Sequence, residues 1–242
     1  MKDARGREIK YLRVSVTDRC NLRCKYCMPN GIECVEHKDI LSFEEIRQIA
    51  VCGARLGITK IRLTGGEPLA RKGCPELIRM LKEIPGIEKI AMTTNGTLVR
   101  AILPELVEAG LDEINISLDT LDARTFAAIT GQDLLPEVLL AIDAALAAGL
   151  KVKVNAVSMP DTDWKRLITL AKDKPVDVRF IELMPIGEGR HSEGRSNEDL
   201  LEEIRSEFPQ LQADDSVHGA GPAVYYKIPG YQGSIGLISA MH

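Results

Sequence analysis

The sequence predicts an α/β fold, a partial (β/α)6 barrel followed by a short β extension at its C-terminal end. The first observation is that apolar runs of strand length alternate with amphipathic segments of helix length up to about residue 208, a pattern typical of a parallel sheet. The second is that six such strands can be recognised. The third is that the alternation stops after Pro209, where two short strands follow. We therefore expect a barrel core over residues 1–208 and an extension over residues 209–242.

The composition excludes several classes of protein. The chain has 242 residues, of which 45% are hydrophobic and 27% charged, which is typical of a soluble globular domain. Its formal net charge is −4, so no overall positive field favours nucleic acid or an anionic membrane surface. No apolar segment has the length of a membrane span, and the N-terminal segment lacks the apolar core of a signal peptide. We expect a cytoplasmic protein that binds neither nucleic acid nor membranes.

The predicted elements follow one another in the order that a barrel requires. Strands are predicted at Tyr11–Thr17, Thr59–Thr64, Glu88–Thr94, Glu113–Leu118, Lys151–Val157 and Asp177–Leu183. Helices are predicted at 42–56, from Cys74 onward, and at Glu105–Ala109, Ala123–Thr130, Pro136–Ala148, Asp163–Asp173 and Asn197–Glu207. Because Pro185–Arg195 contains three glycines, we expect a mobile loop there. The extension is predicted to hold a strand pair at Ala223–Ile228 and Ser234–Ser239.

Two helix starts carry specific signals. Ser42 and Glu45 have the spacing of a capping box, and Gly57 lies where that helix should end. Pro75 falls in the first turn of the helix that begins at Cys74, where a proline is favoured.

Alternation within the strands predicts that one face of the sheet is hydrophilic. Neighbouring side chains on a strand point to opposite faces, so residues two positions apart share a face. Polar pairs at this spacing recur in five strands, at Arg13 and Ser15, Lys60 and Arg62, Thr93 and Asn95, Asn115 and Ser117, and Lys153 and Asn155. The alternative, a sheet with one solvated side, is disfavoured because helices lie between nearly all of the strands. The polar face therefore predicts a cavity for a polar ligand.

Three cysteines, Cys20, Cys24 and Cys27, follow the first strand closely. Active sites of such folds lie where parallel strands end, and crowded thiolates suit an iron–sulfur cluster. Three protein ligands would leave one iron of a cubane open to an exogenous chelator. The alternative is a zinc site, for which Cys34 or His37 would supply the fourth ligand. Structural zinc sites usually use paired two-residue spacings, so the spacing of these cysteines favours the cluster.

The segment from Thr17 to Pro29, which reads TDRCNLRCKYCMP, resembles the signature of the radical S-adenosylmethionine (SAM) superfamily. Its form is similar to that of the GTP 3′,8-cyclase (molybdenum cofactor biosynthesis protein A) family. The resemblance covers nearly the whole chain, and its further motifs are RLTGGEP at 62–68, TTNG at 93–96, ISLD at 116–119, KVN at 153–155 and RFIELM at 179–184.

The resemblance implies a radical SAM lyase with two cofactors. A [4Fe–4S] cluster would be bound by Cys20, Cys24 and Cys27, and SAM would chelate the fourth iron and be cleaved to a 5′-deoxyadenosyl radical. The residues implied to bind SAM are Tyr26, Gly65, Gly66, Glu67, Thr93, Asn95, Ser117 and Met184. Because Arg179 and Met184 have opposite strand parity, a bulge or strand end is expected between them.

The resemblance also implies GTP as the substrate, converted to (8S)-3′,8-cyclo-7,8-dihydroguanosine 5′-triphosphate in molybdopterin biosynthesis. The positions implied to bind GTP are Arg19, Lys60, Arg62, Lys153 and Arg179, and Arg71 is a further candidate phosphate ligand. Guanidinium and ammonium groups are the expected receptors for a triphosphate. For any one of these residues alone, a solvated position at a strand edge is the alternative.

The sequence also allows two functions other than that of a GTP 3′,8-cyclase, and it allows protein partners. Members of the family continue past a segment similar to 233–239 into a second three-cysteine cluster that binds guanine, whereas this sequence ends at His242. The alternatives are therefore a radical SAM enzyme with another substrate, or a non-catalytic zinc-binding module. A reductant protein such as flavodoxin or ferredoxin is an expected partner, and a homodimer is an expected assembly.

Overall fold

The computed structural model describes residues 6, 8–31, 35–191, 193–219 and 221–239. The chain divides into two compact units. The first comprises Met1–Asn21, Ile32–Asn115 and Glu137–Lys151, and the second comprises Leu22–Gly31, Ile116–Pro136 and Val152–His242. Both units contain parallel β-strands and helices, which confirms the predicted α/β class.

Parallel strands form the centre of the first unit. Strand β1 (Tyr11–Ser15) pairs with β2 (Lys60–Thr64), and β2 pairs with β3 (Lys89–Thr94). Strand β4 (Glu113–Ser117) is next in the strand order. The apolar face is fully buried and includes Ile61, Leu63, Ile90 and Met92. The helices of this part are α1 (Phe43–Arg55), α2 (Cys74–Lys82), α3 (Val99–Glu108) and most of α5 (Leu135–Ala147).

The second unit combines parallel and antiparallel strands. Strand β6 (Asp177–Glu182) pairs in parallel with β5 (Lys151–Ser158) on one side and with β9 (Ile235–Ile238) on the other. Strand β8 (Val224–Lys227) then pairs antiparallel with β9, and β7 (Gln212–Ala213) with β8. The helices of this part are α4 (Ala123–Thr130), α6 (Trp164–Leu167), α7 (Thr169–Asp173) and α8 (Asn197–Glu207).

The strand pair predicted near the C-terminal end is confirmed, and it has a larger role than the sequence pattern indicates. Ile235 and Leu237 are buried beside the buried Val178 and Phe180 of β6. This apolar match explains why β9 continues the sheet rather than standing apart from it. The otherwise open edge of β6 is thereby covered.

The predicted starts and ends of most elements agree with the structure. All six predicted barrel strands are present, with ends that shift by at most two residues. The capping box is confirmed, because Glu45 N donates to Ser42 Oγ at 3.2 Å and Ser42 N donates to Glu45 Oε2 at 2.7 Å. Pro75 lies in the first turn of α2 as predicted.

Three segments differ from the prediction. Helix α3 begins at Val99 rather than near residue 105, because burial of Val99, Leu103 and Leu106 on one face outweighs the cost of Pro104 inside the helix. The helix predicted at Asp163–Asp173 is divided in two at Ile168. The segment expected as a loop at Pro185–Arg195 contains a short 3-10 helix, Gly187–His191.

Within the described ranges, no single helix has the length and apolarity needed to cross a membrane. One sharply bent pair, α4 with α5, meets that test of length and composition when the two helices are taken together.

Candidate functional site

The loop that follows β1 carries the three thiols singled out from the sequence. Cys20 and Cys24 are half-buried, Cys27 is exposed, and none of them is in a disulfide. The backbone N–H groups of Cys27 and Met28 both donate to the Cys24 carbonyl at 3.0 Å, which winds this part of the loop into a single turn. Near the start of the loop, Asn95 Nδ2 lies 3.9 Å from Cys20 Sγ. The loop therefore carries three thiols that are not in disulfides, and sulfur of this kind can serve as a metal ligand.

Tyr26 anchors the second half of this loop. Its hydroxyl donates to Asp119 Oδ2 at 2.6 Å, and Asp119 Oδ1 accepts the backbone N–H of Val157 at 2.8 Å. Burial raises the pKa of Tyr26 well above its ordinary value, and the neighbouring charge of Asp119 raises it further. Backbone bonds from Arg23 N to Thr130 O and from Lys25 N to Ile129 O attach the same stretch to α4. Residues 23–27 are thus fixed by backbone and side-chain contacts.

The glycine pair after β2 allows two backbones to run side by side. Gly66 N donates to Thr17 O at 2.8 Å, and the next N–H, of Glu67, donates to Arg19 O at 2.7 Å. A Cβ atom at Gly65 would collide with the Thr17 carbonyl, and one at Gly66 with the Arg19 carbonyl. Only glycine permits this approach. The pair therefore extends the contact between β1 and β2 as far as the start of the cysteine loop.

Glu67 is fully buried and bonded to its neighbours. Its Oε1 accepts the hydroxyl of Thr94 at 2.7 Å and the backbone N–H of Leu69 at 3.1 Å, while Oε2 accepts the backbone N–H of Asn95 at 2.7 Å. Burial raises the pKa of this carboxyl, against the opposing effect of the three hydrogen bonds. In this structure Glu67 fixes the end of β3, where Asn95 lies.

The remaining residues singled out for SAM lie at or beyond strand ends. Ser117 is the last residue of β4, and Thr93 Oγ1 accepts a 3.3 Å hydrogen bond from Arg62 Nη1. Met184 lies two residues beyond the end of β6 and is 41% exposed. The strand end expected between Arg179 and Met184 is therefore present.

A first cluster of predicted GTP ligands surrounds a buried carboxylate. Lys60 Nζ lies 2.6 Å from Glu113 Oε2, Arg62 Nη2 lies 4.0 Å from the same oxygen, and Lys89 Nζ lies 3.7 Å from Oε1. Arg62 also donates from Nε to the hydroxyl of Tyr11 at 2.8 Å. Burial raises the pKa of Glu113, but the Lys60 hydrogen bond and the three positive charges outweigh it and lower that pKa overall. Three cations around one carboxylate leave this cluster with excess positive charge.

A second cluster lies in the other unit, around Lys153. Lys153 Nζ lies 3.2 Å from Asp177 Oδ2 and 2.9 Å from the hydroxyl of Tyr225. Arg179 donates from Nε to Asn155 Oδ1 at 2.9 Å. Lys153 and Arg179 are 3% and 7% exposed, so neither is a solvated residue at a strand edge.

Two other predicted cations are placed differently. Arg19 is exposed in the loop after β1. Arg71 donates to the carbonyls of Val16 and Leu41, each at 2.8 Å, and its guanidinium lies 4.3 Å from the centroid of the Phe43 ring. Arg71 therefore joins backbone segments in this structure.

The sequence reasoning missed the carboxylates that pair with the lysines. Glu113 has the same strand parity as Asn115 and Ser117, so the alternation rule could have placed it on the polar face. Asp177 lies opposite Lys153 in the β5–β6 register, a relationship that becomes visible only once the strands are aligned.

Asn115 Oδ1 is buried and has no hydrogen-bond partner among the described residues. A buried acceptor of this kind on the polar face fits a polar ligand.

The zinc alternative falls mostly outside the described part of the chain. Cys34 and the side chain of His37 lie outside the described residues. Among the residues that are described, no three His, Cys, Asp or Glu side chains converge on a point that could hold one metal ion. A cubane differs from a single ion, because its thiolates bind separate irons.

Comparison with known proteins assigns the chain to a family. The profile of the radical SAM superfamily matches residues 14–173, and that of Molybdenum Cofactor Synthesis C matches residues 176–242. A GTP 3′,8-cyclase of Clostridium perfringens strain 13 is 46% identical over 245 residues, which cover 100% of this chain and 76% of the relative. One of Heliobacterium modesticaldum is 45% identical over 250 residues, again with 100% and 76% coverage. The chain belongs to the GTP 3′,8-cyclase family of radical SAM proteins.

Two solved structures share the fold of this chain. Streptococcus suis SuiB bound to S-adenosylmethionine superposes with a TM-score of 0.69 at 17% identity, over 83% of this chain and 48% of SuiB. Methylornithine synthase (PylB) superposes with a TM-score of 0.64 at 21% identity, over 83% of this chain and 62% of PylB. The residues present in this chain fit the iron–sulfur cluster of the radical SAM superfamily. Cys20, Cys24 and Cys27 are not in disulfides, and three cysteine thiolates are the ligands that a cubane with one open iron needs.

Proposed function

We propose that the protein is a GTP 3′,8-cyclase that converts GTP to (8S)-3′,8-cyclo-7,8-dihydroguanosine 5′-triphosphate, a reaction in which the ribose C3′ becomes bonded to guanine C8. The observation that carries this proposal is the similarity to GTP 3′,8-cyclases at 46% identity over 100% of the chain. The lysine and arginine side chains on the strands add support. A triphosphate carries about four negative charges, and Lys and Arg form charge-assisted hydrogen bonds with phosphate oxygens.

The cofactors of the proposed enzyme are a [4Fe–4S] cluster and SAM. Cys20, Cys24 and Cys27 would hold three irons, and the fourth would be left to SAM. When bound, the two supply a one-electron reductive cleavage that yields a carbon radical able to abstract a ribose hydrogen. Other groups assigned to SAM are Tyr26, the Gly65–Gly66 backbone, Thr93, Asn95, Ser117 and Met184.

Glu67 has a more specific task in this proposal. Its carboxylate already receives three hydrogen bonds from the protein, so the ammonium group of SAM would share it with those donors. Removal of Glu67 would therefore affect the position of Asn95 as well as any cofactor contact. We assign Glu67 both a binding and a positioning role.

The GTP-binding groups are proposed to be Arg19, Lys60, Arg62, Lys153 and Arg179. The burial of the last four is the main support, because a buried cation is costly unless a carboxylate or a ligand anion compensates it. In this structure Glu113 compensates Lys60 and Arg62, Asp177 compensates Lys153, and Arg179 donates to the Asn155 side chain. GTP phosphates would add to or replace these carboxylates as partners.

A reductant protein, such as a flavodoxin or ferredoxin, is proposed as the electron donor. Arg23 and Lys25 are exposed on the cysteine loop, and these positive charges suit an acidic electron carrier. We also propose a cytoplasmic location and a homodimer. Light scattering of the purified protein tests the homodimer directly.

The central test is substrate-dependent cleavage of SAM. Anaerobically reconstituted protein is incubated with SAM, dithionite and GTP, and 5′-deoxyadenosine and the cyclised nucleotide are quantified. We expect 5′-deoxyadenosine to form faster with GTP than with ATP or without nucleotide. Equal rates in all three reactions would contradict GTP as the substrate and support another substrate.

Matched thiol variants test the cluster. Cys24→Ser removes a proposed iron ligand, whereas Cys52→Ser changes an exposed thiol on α1. We expect iron and acid-labile sulfide to be lost from the first variant and retained in the second. Stoichiometric zinc without sulfide in the wild-type protein would instead establish the zinc-binding alternative.

A further inference from the structure

Residues 214–219, which follow β7, lie against the buried side chain of Lys153. The ammonium group of Lys153 contacts Asp177 Oδ2 at 3.2 Å, the Tyr225 hydroxyl at 2.9 Å and the backbone carbonyl of His218. An ammonium group has three N–H donors, and three acceptors surround it here. An anion that binds Lys153 must therefore take the place of at least one acceptor.

The imidazole of His218 holds this segment in place. Its Nδ1 lies 3.0 Å from Asp177 Oδ2 and its Nε2 lies 2.9 Å from Asp214 Oδ2. The ring also stacks on Tyr225, with centroids 3.8 Å apart and planes 12° from parallel. Each ring nitrogen thus faces a carboxylate oxygen, so two polar contacts and one ring contact act on a single side chain.

Asp214 is itself fixed as a carboxylate. Ser234 Oγ donates to Asp214 Oδ2 at 2.7 Å, and Ser216 Oγ donates to Oδ1 at 2.5 Å. The Ser216 hydroxyl lowers the pKa of Asp214, and the other hydrogen bonds contribute. The carboxylate that His218 Nε2 contacts is thus held in place by hydrogen bonds from Ser216 and Ser234.

Of the three acceptors on Lys153, the His218 carbonyl is the one that can most easily be given up. Asp177 lies in β6 directly opposite Lys153, and Tyr225 lies in β8, so both are held by the sheet. His218 lies in a segment without regular structure, where the neighbouring Val217 is 90% exposed. A cavity of about 390 Å³ is lined by this segment and Tyr225. A phosphate oxygen would also bind the ammonium more strongly than a neutral carbonyl does.

We propose that residues 214–219 form a latch that is held by His218 and occupies Lys153 until a substrate phosphate displaces it. This inference rests on the proposed function, in which Lys153 receives a GTP phosphate. Only molecules with an open latch bind GTP through Lys153. The apparent dissociation constant is therefore the intrinsic one divided by the fraction of molecules in which the latch is open. A weaker latch therefore gives tighter binding of the nucleotide.

The test measures the dissociation constant of GTP in reconstituted holoenzyme, without reductant, by equilibrium dialysis. His218→Ala removes both carboxylate contacts and the stacked ring, and we expect GTP to bind at least about fivefold more tightly. Lys153→Gln should weaken binding, and the double variant should show no gain over Lys153→Gln alone. His191→Ala, an exposed histidine outside the latch, should bind as the wild type does.

The outcomes separate the latch from the proposed function. If Lys153→Gln weakens binding but His218→Ala leaves it unchanged or weaker, the latch is wrong and the assignment of Lys153 stands. If Lys153→Gln binds GTP as tightly as the wild type, the assignment of Lys153 fails and the latch fails with it. Ser234→Ala is a second variant, for use if His218→Ala does not fold. It removes a hydrogen bond from Asp214 and leaves His218 in place, and we expect it to bind GTP more tightly than the wild type does.

Discussion

The hydroxyl of Tyr26 donates a 2.6 Å hydrogen bond to Asp119, which joins the cysteine loop to the residues that follow β4. Tyr26 lies between Cys24 and Cys27 in the sequence, so this bond acts on the backbone that carries both thiols. Asp119 in turn accepts the backbone N–H of Val157 in β5. A single carboxylate, on the segment that follows β4, therefore connects the cysteine loop with β5.

Tyr26→Phe is expected to destabilise the loop and lower the retention of iron. The substitution keeps the ring but leaves one Asp119 oxygen buried without its donor, which costs about 1–3 kcal/mol. The free energy of unfolding in urea and the iron content after gel filtration measure the two effects. Tyr231→Phe is the control, because the edge contact of Tyr231 with Phe208 does not require the hydroxyl. Equal iron retention in both variants would contradict the anchoring role of Tyr26.

Gly66→Ala is expected to disturb the start of the cysteine loop. The added methyl group would collide with the backbone carbonyls of Arg19 and Asp18, and a backbone cannot rotate away as a side chain does. We expect a loss of stability of about 1–3 kcal/mol and reduced cluster loading. Gly221→Ala is the matched control, since a Cβ at Gly221 meets nothing within 4 Å. Thermal unfolding and iron content compare the two, and a Gly66→Ala protein with unchanged loading would show that the close approach is dispensable.

The strands were predictable because each one carries its own alternation of apolar and polar residues. The partners of their charged residues were not predictable, because no single strand contains both members of a pair. The apolar alternation of β2 and β3 can be read within six residues, and the Ser42–Glu45 capping box within four. The pairing of Lys153 with Asp177 depends on the alignment of two strands separated by two helices, which no local pattern contains. The same reason explains why the position of β9 beside β6 was missed.

His218 could not have been found from the sequence at all. Its role depends on Asp177, Asp214 and Tyr225, which are brought together only by the pairing of β6, β9 and β8. In the sequence it is a lone histidine in a polar segment, and histidine is a residue type found both buried and exposed.

The Glu113 ion pair is expected to make stability depend on pH in a defined direction. The pKa of Glu113 is lowered in the folded protein, because Lys60, Arg62 and Lys89 outweigh the effect of burial. The stabilisation is therefore fully present above the ordinary glutamate value of about 4.3 and is lost as the pH falls through the lowered value in the folded protein. Urea unfolding at several pH values measures it.

Glu113→Gln isolates this contribution. We expect the difference in stability between wild type and variant to be large at neutral pH and to shrink below about pH 4. Glu137→Gln, which breaks an exposed pair with Arg100, should show a small difference at every pH. A difference for Glu113→Gln that stays constant down to the lowest pH would show that folding does not lower the pKa of this carboxyl.

Lys60 and Lys89 allow a test of whether burial distinguishes a GTP ligand from a surface charge. Both lysines contact Glu113, but the side chain of Lys60 is 11% exposed and that of Lys89 is 56% exposed. A buried ammonium is poorly screened by solvent, so its loss should weaken triphosphate binding at least about tenfold, whereas loss of the exposed charge should matter little. Equilibrium dialysis of GTP with Lys60→Gln and Lys89→Gln compares them at two salt concentrations. We expect the Lys60→Gln defect to persist at high salt, because screening acts mainly on exposed charges. Equal effects of the two substitutions, both abolished by salt, would mean that the cations around Glu113 attract nucleotides only through their general field and bind no phosphate directly.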